Sequence, residues 1–292
     1  MAGGLLLLVL LVSAQACFAA IEIRPPVAKQ GQTIEVLIPR AGGTAGGDST
    51  ESGAGTAAGD STPPGPTVLF HNKEYKTFAH QKGEEAFSRA LISVPADLKV
   101  GTYTIKVGDA SEKLKVIAGG FGVQSIRLPP GKDNFVASPG EEAAVDGAKG
   151  TVSNKQYWDG KFLRPVQSRV SSTFGLRRRV NGKLLTDYFH SGLDFAAATG
   201  TPVKAVQKGK VILARRGWKL HGNTICIDHG QGVVSFYIHL SKVLVKEGDI
   251  VDAGQKIGAV GSTGRANGPH LHFSIYVNKD ATNPGDWFAK AF

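Results

Sequence analysis

His270-Leu271-His272-Phe273-Ser274-Ile275-Tyr276-Val277 is the stretch on which the reading of this chain turns. Its residues alternate without a break: Leu271, Phe273, Ile275 and Val277 fall on one side, and His270, His272, Ser274 and Tyr276 on the other. A strand sends successive side chains to opposite faces, so this period of two means extended backbone with one apolar face. Val233 to Leu240 reads the same way, with Val234, Phe236, Ile238 and Leu240 opposite Ser235, Tyr237 and His239. If the two strands share a sheet, His239, His270 and His272 converge on one side of it.

The same rhythm extends outward. Gly209 to Ala214 and Thr224 to Asp228 are short, β-branched runs separated by Gly-containing turns, and nothing suggests a long helix. Upstream, Gln32 to Ile38, Val68 to Phe70, Ala90 to Val94, Tyr103 to Val107 and Lys113 to Val116 suit a small antiparallel sandwich. The expected class is all-β, in four parts. Residues 1–20 form an export signal and 21–118 a β-sandwich. A connector over 119–161 leads to a second β domain over 162–292. Within the sandwich, residues 41–66 are nearly all Gly, Ala, Ser, Thr, Asp and Pro, too poor in apolar surface to order themselves, and are expected to be a disordered insertion. In the connector, Ala143 to Lys149 suits a short helix, and Gln124 to Leu128 and Tyr157-Trp158 are expected to clasp a neighbouring domain.

Composition narrows the setting. Leu5 to Val12 is an apolar block followed by small residues through Ala20, the pattern of a cleavable secretory leader, and the block is too short to persist as a membrane span. Export to the periplasm or cell envelope is the expectation. Acylation of Cys17 is a poor alternative, because Ala14-Gln15-Ala16 is an unusual approach to a lipidated cysteine. After cleavage Cys226 is the one cysteine left, so no internal disulfide is available, and its β-branched neighbours suit a buried small hydrophobe. The net charge of +10 belongs wholly to the mature chain and favours polyanions. With export, that points to anionic envelope polymers rather than nucleic acid.

His190-Ser191-Gly192-Leu193-Asp194 supplies the rest. His190 and Asp194, four apart, share a face in extended or helical backbone, and Gly192 allows a tight bend between them. With His272 from a distant strand they would complete a three-ligand site of two imidazoles and a carboxylate, leaving a fourth position open, the arrangement of hydrolytic zinc centres. An isolated His-x-His in a strand is usually a solvated polar edge, and His-x-x-x-Asp alone says less. It is the joint occurrence, with His239 and His270 to spare, that points to an enzyme. His71, His80, His221 and His229 lack such company and are read as surface or turn residues.

These pieces, in order, resemble the lysostaphin-type zinc endopeptidases of bacterial cell walls. The likeness runs from Arg169 to the C-terminus through Ser172-Thr173-Phe174-Gly175-Leu176-Arg177, His190 to Asp194, Gly222 to Gly230, Tyr237 to Ser241, Gly261-Ser262-Thr263-Gly264, and Gly268-Pro269-His270-Leu271-His272-Phe273. The resemblance implies two antiparallel sheets with the metal in a groove. It implies one Zn2+ held by His190, Asp194 and His272, with His239 and His270 as the catalytic pair, and peptidoglycan peptides as substrate. Asn283, before Pro284, is expected to help hold the substrate strand. The N-terminal segment resembles, less specifically, the immunoglobulin-like domain that precedes such peptidases in Gram-negative envelope proteins. The competing expectation is a non-catalytic envelope protein that binds and activates other wall hydrolases; such relatives have lost metal ligands, whereas all stand here.

Overall fold

The computed structural model describes residues 20–40, 65–131 and 135–292. The expected signal over 1–20 and the expected disordered insertion over 41–66 lie almost wholly outside these residues. No helix among those described is long and apolar enough to cross a membrane.

The first nine strands are β1 (Glu22–Arg24), β2 (Val27–Lys29), β3 (Thr33–Pro39), β4 (Val68–Phe70), β5 (Lys73–Tyr75), β6 (Phe78–Lys82), β7 (Glu85–Ser93), β8 (Gly101–Val107) and β9 (Ala110–Ile117). They form two sheets, β1-β3-β7-β6 and β2-β9-β8-β4-β5. Alternation explains the pairing of faces. In β9, Leu114 and Val116 are buried while Lys113 and Lys115 are exposed, and these two meet Ile34, Val36 and Ile38 of β3 and Ile105 and Val107 of β8 in one core.

The connector contributes β10 (Val123–Ile126) and a helix, α1 (Glu141–Lys149). Then follow β11 (Val170–Ser172), β12 (Arg177–Val180), β13 (Lys183–Leu184), β14 (Leu193–Ala196), β15 (Pro202–Lys204), β16 (Gly209–Arg215), β17 (Asn223–Gly230) and β18 (Val233–Leu240). The chain closes with β19 (Lys242–Val243), β20 (Ile250–Val251), β21 (Lys256–Ala259), β22 (His270–Val277), β23 (Asp280–Thr282) and a short helix, α2 (Pro284–Ala289). A large sheet runs β11-β14-β22-β18-β17-β16-β20, with β23 beside β22, and a small one runs β15-β21-β19. Between them lies the main core, where Val203, Val243 and Ile257 meet Ile225, Tyr237, Leu271 and Phe273.

The expected polar face of β18 is not there. Every residue of that strand is buried, because both faces of the sheet are covered. Val233 and Tyr237 enter the main core, whereas Val234 and Phe236 face the other way, under Val145 and Ala148 of α1. Ser235 stays satisfied inside by donating to His229 Nε2 at 2.8 Å, while its oxygen lies 3.1 Å from the Tyr237 hydroxyl, whose oxygen accepts from Val206 N–H at 3.0 Å. His229 is therefore a core residue, not the surface or turn residue its isolation suggested; its Nδ1–H donates to Lys208 O at 2.8 Å.

The connector does clasp the second β unit. β10 runs parallel to β12 in a three-stranded sheet with β13, and Trp158 is buried against Phe162 and Trp287. α1 is pinned by Glu141, which is fully buried and accepts from the backbone N–H groups of Ser138 and His221 and from His221 Nδ1. The sandwich also packs directly on the second unit. Thr33 Oγ1 lies 2.7 Å from Thr282 Oγ1 and accepts from Trp287 Nε1–H, and buried Arg89 donates to Gln156 and Gln231 while pairing with Glu35.

Candidate metal centre

Strand register assembles the site. β14 is antiparallel to β22 with Asp194 directly opposite His272, so their side chains leave the same face as near neighbours. His190 lies just before β14, and its backbone N–H donates to Leu176 O at 2.9 Å while its carbonyl accepts from Gly175 N–H at 2.8 Å. The Phe174-Gly175-Leu176 turn thus fixes where His190 stands. Gly192 sits at the bend expected of it and also serves close approach: a Cβ there would lie 2.1 Å from the Phe273 carbonyl oxygen.

Three atoms meet at the centre. His190 Nε2 is 3.0 Å from Asp194 Oδ1, His272 Nδ1 is 2.9 Å from the same oxygen, and the two nitrogens are 2.9 Å apart. All three side chains are at least nine-tenths buried by residue. His190 Nδ1 faces the Thr173 carbonyl at 2.8 Å, an acceptor only, so in the neutral ring the proton sits on Nδ1 and Nε2 presents a lone pair. His272 Nε2 faces Ser274 Oγ at 2.7 Å, and the tautomer that donates to this hydroxyl presents the Nδ1 lone pair. Burial pushes the His272 imidazole down to about 4. Burial opposes ionisation of Asp194, but the adjoining His190 and His272 outweigh it and hold the carboxyl well below its usual range. Two imidazole nitrogens and a carboxylate oxygen therefore crowd one buried corner. That is the donor set a divalent cation satisfies, and edges of this length suit four-coordinate zinc, whose ligand atoms sit roughly 3.3 Å apart.

His239 and His270 stand beside this triangle. His270 Nδ1–H donates to Gly268 O at 2.8 Å, which leaves Nε2 bare, 4.0 Å from Asp194 Oδ1. His239 Nδ1–H donates to Thr263 O at 2.9 Å, and the two rings are 4.9 Å apart. Burial, reinforced by the neighbouring His270 and His272, holds the His239 imidazole well below its usual value. His239 arrives by an unexpected route. Ile238 pairs with His272, so strict alternation would send His239 into the core with Tyr237. Instead β18 carries an extra residue here: Ile225 pairs with Tyr237 but Asn223 with Leu240. His239 sits in this bulge at φ 63° and is turned back to the side of His272.

Sequence reasoning missed Arg178. Its Nη2 donates to Asp194 Oδ2 at 3.0 Å, both side chains about nine-tenths buried, and its Nη1 donates to Gln124 Oε1 on β10. The signal was available in Arg177-Arg178-Arg179-Val180, where period two puts Arg178 on the side of buried Val180. A groove of about 290 Å³ opens over the cluster, with Gln124, Ile126 and Leu128 and Ala266 to Pro269 among its lining. Asn283 is not in it. Its side chain caps α2 by accepting from Gly285 N–H at 3.0 Å, and it lines a separate crevice with Gly31 and Phe121. Cys226 is wholly buried, and burial raises its thiol well above the usual value.

Residues 188–284, which hold all five of these imidazole and carboxylate groups, match the model of peptidase family M23. A crystal structure of a Pseudomonas aeruginosa protein assigned to peptidase M23 is 30% identical and superposes with a TM-score of 0.60, covering 77% of this chain and 88% of that one. Among curated proteins, the DD-carboxypeptidase/endopeptidase Mpg of Neisseria meningitidis serogroup B is 43% identical over 136 residues, 43% of this chain and 30% of that protein. The peptidoglycan DD-endopeptidase ShyB of Vibrio cholerae is 41% identical over 148 residues, 44% of this chain and 34% of that protein. The chain thus spans about a third of the length of these curated relatives.

Proposed function

Because this chain belongs to peptidase family M23, we propose that it is an exported, zinc-dependent endopeptidase that hydrolyses peptide bonds in peptidoglycan cross-links or stem peptides. The observation that carries the reading is the triangle of His190 Nε2, His272 Nδ1 and Asp194 Oδ1 with two further imidazoles at its edge. These three atoms would hold one zinc ion. When bound, zinc acts as a Lewis acid that polarises a carbonyl and lowers the pKa of a water toward 7. His239 and His270 supply the proton traffic: each keeps its Nδ1 proton on a backbone carbonyl and offers the Nε2 lone pair. One such nitrogen takes the proton of the attacking water, and the resulting imidazolium donates to the developing oxyanion or the departing amine. The groove, with Gly268 and Pro269 in its wall, suits an extended, flexible peptide.

Export is supported by the leader-like first twenty residues and by relatives named for peptidoglycan, and the +10 charge suits anionic envelope polymers. In the same reading the N-terminal sandwich is an immunoglobulin-like platform for the peptidase unit. The complete ligand set argues against a non-catalytic activator of other hydrolases. The test is digestion of purified sacculi by the wild type and by His272→Ala, with mass spectrometry of the products. The wild type is expected to release cut peptides, with a D-alanyl–diamino-acid bond as the expected scissile bond in a Gram-negative wall, and His272→Ala to release none. Equal release by both would remove this site from the reaction.

A further inference from the structure

Each atom of the triangle has a partner behind it. Thr173 O holds His190 through Nδ1, and Ser274 Oγ holds His272 through Nε2. Asp194 has a different problem, because a carboxylate offers two equivalent oxygens and can turn about its last bond to present either or both. Arg178 removes that freedom. Its Nη2 takes Oδ2 at 3.0 Å, so Oδ1 alone is left 2.9–3.0 Å from both histidine nitrogens. The guanidinium is itself fixed, since Nη1 donates to Gln124 Oε1. Gln124 lies on β10, which pairs with β12 so that Gln124 and Arg178 stand directly opposite each other. A buried Arg–Asp pair is weak evidence for a stabilising role, because desolvation offsets much of the attraction. The geometry says more than the energy does: one planar fork spans a ligand oxygen's twin and an anchor from outside the peptidase sheets.

We propose that Arg178 is a positioning residue that makes Asp194 a one-oxygen ligand, and that Gln124 of the connector strand holds Arg178 in that role. The inference rests on the zinc reading of the site given above. Outer partners of metal ligands typically carry about 10- to 100-fold in metal affinity or activity. The test loads the full chain with zinc or cobalt(II) and reads three quantities: zinc affinity by chelator competition, the visible absorption of the cobalt form, and kcat against KM on a soluble wall peptide.

For the wild type, tight zinc binding and the intense absorption of four-coordinate cobalt are expected. Arg178→Met frees Oδ2, so cobalt absorption should weaken toward that of five-coordination, zinc affinity should fall about 10- to 100-fold, and kcat should fall with KM little changed. Arg178→Lys should recover part of the loss, because one ammonium can reach Oδ2 but cannot fork to Gln124 as well. Gln124→Leu should shift the same quantities by a few-fold and Gln124→Glu, still an acceptor, should not. If Arg178→Met does not fold, the Gln124 pair alone decides. If the wild type binds neither metal, the zinc reading fails. If it binds both and the variants match it in affinity and spectrum, the role of Arg178 is overturned and the site stands.

Discussion

His239 occupies backbone that most residues avoid. A left-handed φ of 63° outside glycine costs on the order of 1 kcal/mol or more and persists only where the surroundings impose it. Here the bulge between β17 and β18 imposes it, and the result is an imidazole delivered to the side of the sheet that carries Asp194 and His272. His239→Gly relieves the strain but loses the bond to Thr263 O. Thermal unfolding should therefore move by no more than about 1 kcal/mol, while wall hydrolysis falls by roughly 100-fold or more. A loss of stability as large as the loss of activity would mean that the side chain is structural. Gly192 behaves in the opposite way. The Phe273 carbonyl 2.1 Å from a Cβ cannot give without moving β22, so Gly192→Ala should destabilise by several kcal/mol and displace His190, Asp194 and His272 together. Chemical denaturation and zinc content should fall in step.

Of the elements, β22 was fully legible and β18 was not. The alternation of Leu271, Phe273, Ile275 and Val277 against His270, His272 and Ser274 is the alternation observed, because β22 runs straight through the sheet. For β18 the same rule put Ser235 and Tyr237 with the histidines, whereas they lie in the main core. Two physical facts hid this. The sheet is covered on both faces, so polarity no longer marks a face, and one inserted residue reverses the parity after Ile238. Residue types at the candidate site were readable from sequence, but Arg178 was not singled out, since three consecutive arginines look like a solvated edge until the strand is placed. Neither was the depth of His229. Burial lowers that imidazole to about 4, below its unfolded value near 6.5. Protonation therefore favours the unfolded chain: the neutral buried form contributes full stability above about pH 6.5, and this is lost as pH falls from there toward 4, up to ~3 kcal/mol. In thermal unfolding followed against pH, His229→Gln should flatten the decline over that window. An unchanged slope would show that His229 is not the group titrating.

For the whole molecule, the two β units share more than a tether. Trp287 is 1% exposed in the core of the second unit, yet its indole N–H donates to Thr33 of the sandwich, and Leu91 of β7 enters that same core. The described chain should accordingly unfold in one calorimetric transition. Trp287→Ala should lower it by about 3–5 kcal/mol without splitting it. Two separated peaks in the wild type would contradict this coupling. The sandwich and the two-sheet unit behind it were both visible in the spacing of short β-rich runs. Their mutual packing was not, because nothing in a single sequence says which Thr meets which Trp.

In the proposed enzyme, His190, Asp194 and His272 hold one zinc ion. X-ray absorption at the zinc edge, on protein purified without chelator and alongside elemental analysis, tests it most directly. One zinc per chain is expected, with two imidazoles and one carboxylate oxygen in a four-coordinate shell, and its loss from Asp194→Ala. Substoichiometric zinc in the wild type, or an unchanged spectrum in Asp194→Ala, would contradict it.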